Sequence, residues 1–151
     1  MDQESIVYGC IKDQPGNSAE RELRYRANLA AIAGLPEDDG FPLLAREMFG
    51  SSGRDLFEGT YHTQVIHFGA SYRAIEYEWE QWLARFEALL GRMYWVNAVV
   101  HLQTELSGNH TFVYEPKGGI FRPGDGPLNV RCEWERETVF GAAYRPPGRP
   151  S

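Results

Sequence analysis

The sequence predicts an α+β domain: a mainly antiparallel sheet with two principal helices packed on one face. Two patterns predict it. The helical periodicities lie ahead of Gly91, and the period-two segments dominate after it. Helices early and strands late are the signature of helices segregated to one side of an antiparallel sheet. A third observation fixes the scale. The 151 residues are 42% hydrophobic and 13% aromatic, with no internal repeat and no linker long enough to divide them. That is one domain's worth of core. The expected domain spans residues 1–144, and the Arg-Pro-Pro-Gly-Arg-Pro-Ser stretch at 145–151 is expected to be a disordered tail.

Each element has a local reason. Ser5 to Ile11 is a short apolar run with β-branched and aromatic members, a first strand. The turn at Asp13 to Asn17 leads to a helix. Asn17, with Glu20 three residues on, has the spacing of a capping box. This helix runs to about Ala33, with Gly34 as its stop, and its broad apolar stripe includes Leu23, Ala27, Ala30, Ala31 and Ile32. Phe41 to Phe49 reads as a short helix, with Pro42 in its first turn and Gly50 ending it. Thr60 to Phe68 is rich in strand formers. Ser71 then caps or precedes the clearest helix, where Ile75, Trp79, Trp82, Leu83, Phe86, Leu89 and Leu90 mark one face of a 3.6-residue period. Gly91 closes it. From Met93 to Thr104 the even positions Tyr94, Val96, Ala98, Val100 and Leu102 are apolar, while Asn97, His101 and Gln103 alternate with them. This is a half-buried strand. Ser107-Gly108-Asn109 turns it back along His110 to Tyr114. Leu128, Val130, Cys132 and Trp134 alternate with polar residues in a last strand.

Composition narrows the function classes. Lys+Arg number 15 against 21 Asp+Glu, a formal net charge of -6. Nucleic-acid and anionic-membrane contacts need a cationic surface, so neither partner is expected. Among the basic residues only Lys12 and Lys117 are Lys. No window approaches the roughly 18 apolar residues of a transmembrane helix, and no cationic segment leads into an apolar one at the N-terminus. A cytoplasmic protein is expected, with Cys10 and Cys132 as reduced thiols buried in strands.

Chemical motifs are sparse. His62 and His67 have odd separation and point to opposite faces of one strand. His101 and Glu105 share a parity but lie about 13 Å apart by strand rise. Gly69-Ala70-Ser71 lacks the second glycine of a nucleophile elbow, because Arg occupies position 73. Gly118-Gly119 leads into no helix and reads as a hairpin turn, not a phosphate loop. No catalytic residue, metal site or cofactor is expected. Carboxylates do cluster: Glu37-Asp38-Asp39 in a loop, Glu76, Glu78 and Glu80 at the start of the long helix, and Glu133, Glu135 and Glu137 along the last strand. Most such runs are solvated surface. A carboxylate face also steers a basic protein partner and sets specificity, and it can occupy a cleft built for phosphates. Tyr72, Tyr77 and Trp95 sit on the less apolar sides of their elements, where aromatics anchor interfaces.

Trp79-Glu80-Gln81-Trp82, then Tyr94-Trp95-Val96-Asn97-Ala98-Val99-Val100-His101-Leu102, then Ser107-Gly108-Asn109-His110-Thr111-Phe112-Val113-Tyr114 together resemble the immunity protein 52 family. The resemblance follows the order of elements over roughly residues 5 to 135 and rests on aromatic and glycine positions. It implies a small α+β fold, no enzymatic activity, and one protein partner. In that family the partner is a polymorphic toxin encoded beside its cytoplasmic antidote. It often carries a restriction-endonuclease-like nuclease domain, and some pairs are delivered by type VI secretion. The expected role is therefore toxin neutralisation by occlusion of an active site or substrate cleft, with Glu37, Asp38, Asp39, Glu76, Glu78 and Glu80 as contact candidates. Two other classes are compatible with the residues. One is a small enzyme using His67, His101 and Glu105. The other is a secretion chaperone or adaptor with a broad apolar groove.

Overall fold

A computed structural model of the chain describes residues 4–15, 18–35, 44–52, 63–105 and 108–135, with the backbone alone at 18, 52, 76, 134 and 135. The elements in chain order are β1 (Glu4–Lys12), α1 (Ser18–Ala33), β2 (Phe49–Ser52), β3 (Val65–Arg73), α2 (Trp79–Leu90), β4 (Asn97–Thr104), β5 (Gly108–Tyr114) and β6 (Val130–Glu135). Short 3₁₀ turns at Arg46–Met48 and Ile75–Glu78 precede β2 and α2. The strands form one sheet in the order β2-β3-β1-β4-β5-β6, and every neighbouring pair is antiparallel. The α+β class and the mainly antiparallel sheet follow the sequence expectation.

β1 is an interior strand of the sheet, paired along nearly its whole length on both edges. It pairs with β3 from Glu4↔Arg73 to Lys12↔Val65, and with β4 from Ser5↔Thr104 to Lys12↔Asn97. Alternation then sorts the side chains. Val7, Ile11, Ile66, Phe68, Ala98, Val100, Leu102 and Tyr114 are buried on the helix side. α2 lays Trp82, Phe86, Leu89 and Leu90 onto them, all fully buried. Phe86 lies between Phe68 and Tyr114, with centroids at 5.3 and 5.8 Å. Two of the core's indoles are paired: Trp82 Nε1 donates to Tyr72 Oη at 3.0 Å, and Trp95 Nε1 to the Leu90 carbonyl at 3.0 Å. The seven-residue apolar face expected for α2 is the face that is buried or half-buried.

Several boundaries differ from the sequence reading. The helix expected over Phe41–Phe49 gives way to the Arg46–Met48 turn and strand β2, its first residues lying outside the described ones. Phe49 is drawn into the sheet because its ring packs on Phe68 at 5.3 Å, and Gly50 pairs with His67 instead of ending a helix. The strand expected at Thr60–Phe68 runs over Val65–Arg73, since β1 offers partners as far as Glu4. Ser71 is consequently a strand residue, not a helix cap, and its hydroxyl donates to Glu4 Oε2 at 2.7 Å. The reversal falls at Ala74, which has a left-handed φ of 50°. The alternation expected from Met93 breaks before Asn97: Met93 and Trp95 are buried, and Trp95 bridges to Phe121. The Asn17 cap, Ser107, the acidic loop at 36–40 and the tail at 145–151 lie outside the described residues.

α1 departs most from its expected stripe. Its buried positions are Arg24, Asn28 and Ile32, one step of four apart, while Leu23 is 58% exposed. Two of the three are polar because they meet fixed polar partners. Arg24 Nε donates to both Asp13 carboxylate oxygens at 3.0 Å, and Nη2 donates to the Gln14 carbonyl at 2.7 Å. Asn28 closes a reciprocal pair with the backbone of Tyr94: its Nδ2 donates to the carbonyl at 3.0 Å, and its Oδ1 accepts the N–H at 2.8 Å. The same Nδ2 lies 3.1 Å from buried Gln64 Oε1, and Gln64 Nε2 donates to Ser51 Oγ. This network ties α1, the end of β1, the approach to β3 and β2 together. Burial pushes the Asp13 carboxyl above its ordinary range, against the pull of Arg24 and of the Gln14 N–H.

Candidate functional site: the open face of the sheet

Both helices contribute to a single core on one side of the sheet. The opposite parity of the strands faces away from them, and among the described residues none of its side chains is buried. The centre of this open face is one row across three strands, because Tyr8 of β1 pairs with His101 of β4, and His101 with Thr111 of β5. Tyr8 and His101 stack at 4.8 Å with 29° between their planes. Gln103 Nε2 donates to Tyr8 Oη at 3.0 Å, and His101 Nδ1 lies 3.0 Å from Thr111 Oγ1. Tyr8 keeps 39% of its surface exposed despite these contacts. The phenol and imidazole are thus held in one orientation before anything binds. That is the condition under which a surface aromatic gives contact area at low entropic cost.

Half-buried Ile6, Cys10, Val99 and Val113 surround the pair, since Ile6 and Cys10 lie two residues either side of Tyr8 and Val99 faces both Cys10 and Val113. A charged rim encloses them: Glu4, Glu105, Glu115 and Glu133, with Lys12, Arg73 and Arg131. An apolar and aromatic centre inside a charged rim is the anatomy of a protein interface. Partial burial lowers the pKa of His101, so the stacked ring is neutral near pH 7.

The groups named for catalysis do not converge. Glu105 Oε1 accepts the Glu4 N–H at 3.3 Å, whereas His101 faces Thr111. His67 turns toward β2, where Gly50 makes room for it: a Cβ there would meet the ring at 2.5 Å. No group of three or more His, Cys, Asp or Glu is placed to hold a metal among the described residues. Cys10 is half-buried and Cys132 exposed, which corrects the expectation of two buried strand thiols: the helical layer does not extend over β6. Tyr72 and Trp95 are core residues, not surface anchors, while Tyr77 is 66% exposed.

Of the acidic candidates, Glu78 and Glu80 are described with their side chains, half-buried and exposed, at the start of α2. Two residues apart on a helix they face different directions, and they belong to the helical layer, across the sheet from the Tyr8–His101 pair. Glu76 is described by its backbone only, and Glu37, Asp38 and Asp39 lie outside the described residues. Glu133 does reach the open face, next to Thr111. Sequence reasoning missed Tyr8 and Ile6 because one apolar run carries both faces of a central strand. The available signal was Tyr8 itself, an aromatic on the parity opposite Val7 and Ile11.

No helix among the described residues is long and apolar enough to cross a membrane. No family model, curated protein or solved structure matches the chain.

Proposed function

We propose that this chain is an immunity protein, a cytoplasmic antidote that binds a cognate toxin and blocks it through the open face of its sheet. The observation that carries the reading is the oriented Tyr8–His101 pair at the centre of an uncovered, charge-rimmed face. The segments resembling the immunity protein 52 family and the net charge of -6 support the same class. The toxin this suits best is a nuclease. Its cleft is cationic because it must hold phosphates, and rim carboxylates such as Glu4 and Glu105 can take the phosphates' place while the aromatic centre seats against the wall of the cleft. Inhibition is then steric and electrostatic, without chemistry on the antidote.

The test is co-expression with the toxin encoded by the adjacent gene. The wild-type chain should restore growth and co-purify with the toxin. Tyr8→Ala with His101→Ala should lose both effects while keeping the wild-type melting profile. A harmless neighbour, or a toxin that this chain neither binds nor neutralises, contradicts the proposal.

A further inference from the structure

β6 ends the sheet, and among the described residues no strand pairs with its outer side. The other end is better protected, since β2 has only four residues and carries the His67 ring over Gly50. Short edges resist strand addition and long ones invite it. β6 has six residues, and α2 does not cover its helix-side surface: Val130 is 48% exposed and Cys132 is exposed. On its open-face parity it carries Arg131 and Glu133, facing Val113 and Thr111 of β5.

The charge order on this edge is self-complementary about one residue. In an antiparallel pairing of β6 with a second copy centred on Cys132, Arg131 of each chain stands opposite Glu133 of the other. A pairing centred on Arg131 sets the two arginines against each other, and one centred on Glu133 opposes the two Glu133 carboxylates at the axis, although it sets Arg131 against Glu135, so of the three only the Cys132 register is free of a like-charge pair. Directly opposed residues of antiparallel strands have Cβ atoms about 4.5–5.5 Å apart, where unlike charges stabilise and like charges destabilise. Arg131 now contacts Glu115 and Glu133 of its own chain at 3.3 and 3.4 Å. Both are exposed pairs of small worth, so exchanging one for the partner's Glu133 costs little.

We propose that two copies of this chain associate edge to edge through β6 in the register centred on Cys132, continuing the sheet across a two-fold axis. The pairing would satisfy the outward backbone groups of β6 and leave Tyr8 and His101 uncovered. It is independent of any toxin.

Mass measured by light scattering over a concentration series tests it. The purified chain should rise from 17.2 kDa toward twice that value. Arg131→Glu and Glu133→Arg should each hold the mass at the monomer, whereas the double exchange Arg131→Glu/Glu133→Arg should restore the dimer. A short bis-maleimide should link two copies through Cys132, so that Cys132→Ser abolishes the linked species and Cys10→Ser keeps it. Both charged positions are exposed, and unchanged thermal melts of the variants confirm that folding is intact. A constant monomer mass, a dimer indifferent to single reversals, or a double exchange that fails to restore it overturns the proposal.

Discussion

Gly9 lies at the centre of the sheet, between Phe68 of β3 and Val100 of β4 in register. A Cβ placed there would sit 1.9 Å from the Val99 carbonyl oxygen and 2.9 Å from Phe68 Cζ. Ordinary contact begins at 3.4 Å. The carbonyl belongs to the backbone of β4 and cannot swing away as a side-chain tip would, and the Phe68 ring crowds the same atom. Gly9→Ala therefore forces β1 and β4 apart or displaces Phe68 from the core. Overpacking of this kind costs about 1–3 kcal/mol, and a backbone clash in the central strand pair places it near the top, at about 3 kcal/mol. For a chain of this length that lowers the melting temperature by about 6–12 °C. Gly69→Ala is the matched control: it stands one strand over on the open face, its nearest neighbour is 3.6 Å away, and its cost should stay within about 0.5 kcal/mol. Thermal melts followed by circular dichroism, with urea titrations for the free energies, compare the two. Equal stability of the two variants would refute the packing argument for β1.

Asn28→Leu should cost about 2–4 kcal/mol in urea denaturation, because it leaves the half-buried Tyr94 backbone and the amide oxygen of buried Gln64 without their Asn28 partner. Arg24→Met alone should cost about 3–5 kcal/mol, and adding Asp13→Leu should recover part of it, since the isolated buried carboxylate is then gone. With Arg24 removed, burial raises the Asp13 carboxyl further. A carboxyl whose folded pKa lies above the unfolded value of 3.8 gives stability that is lost as pH rises through the folded pKa, so Arg24→Met should weaken from acid toward neutral pH more steeply than wild type. Burial, and then the Glu87 carboxylate that accepts its proton at 2.8 Å, push the Tyr114 phenol far above its ordinary 10.0. The folded chain therefore holds this proton above pH 10.0, and stability should fall as pH rises past that value. Tyr114→Phe should flatten that alkaline loss.

The parts legible in the sequence were those where one pattern decides. α2 was readable because its apolar period recurs without interruption from Ile75 to Leu90. β4 was readable from Asn97 on because its alternation is strict. The illegible parts depend on partners distant in the chain. Phe41–Phe49 has local helical character, yet Phe49 joins the sheet because Phe68 waits there. Ser71 resembles a cap until β1 supplies Glu4. Arg24 and Asn28 look like the solvent side of α1 and become its buried side only when Asp13, Gln64 and the Tyr94 backbone close around them; their spacing of four with Ile32 was the one local hint. The open face was hidden for a related reason. Tyr8, His101, Gln103 and Thr111 come from three strands, and register alone joins them. The carboxylate runs were plain in the sequence, but spacing along a chain does not say which side of a sheet a helix start occupies, and Glu78 and Glu80 fall on the helical side.

Docking through the open face of the sheet, as proposed above, is tested directly by one comparison of affinities. The purified chain is titrated against the toxin domain of the adjacent gene as wild type, as Tyr8→Ala/His101→Ala and as Glu78→Lys/Glu80→Lys. Loss of an oriented aromatic anchor costs about 2 kcal/mol or more, so the aromatic double variant should bind at least about thirtyfold more weakly, while the helix variant stays within about threefold of wild type. The reverse order, with the helix charges decisive and the aromatic pair silent, would place the interface on the opposite side of the sheet and contradict the account.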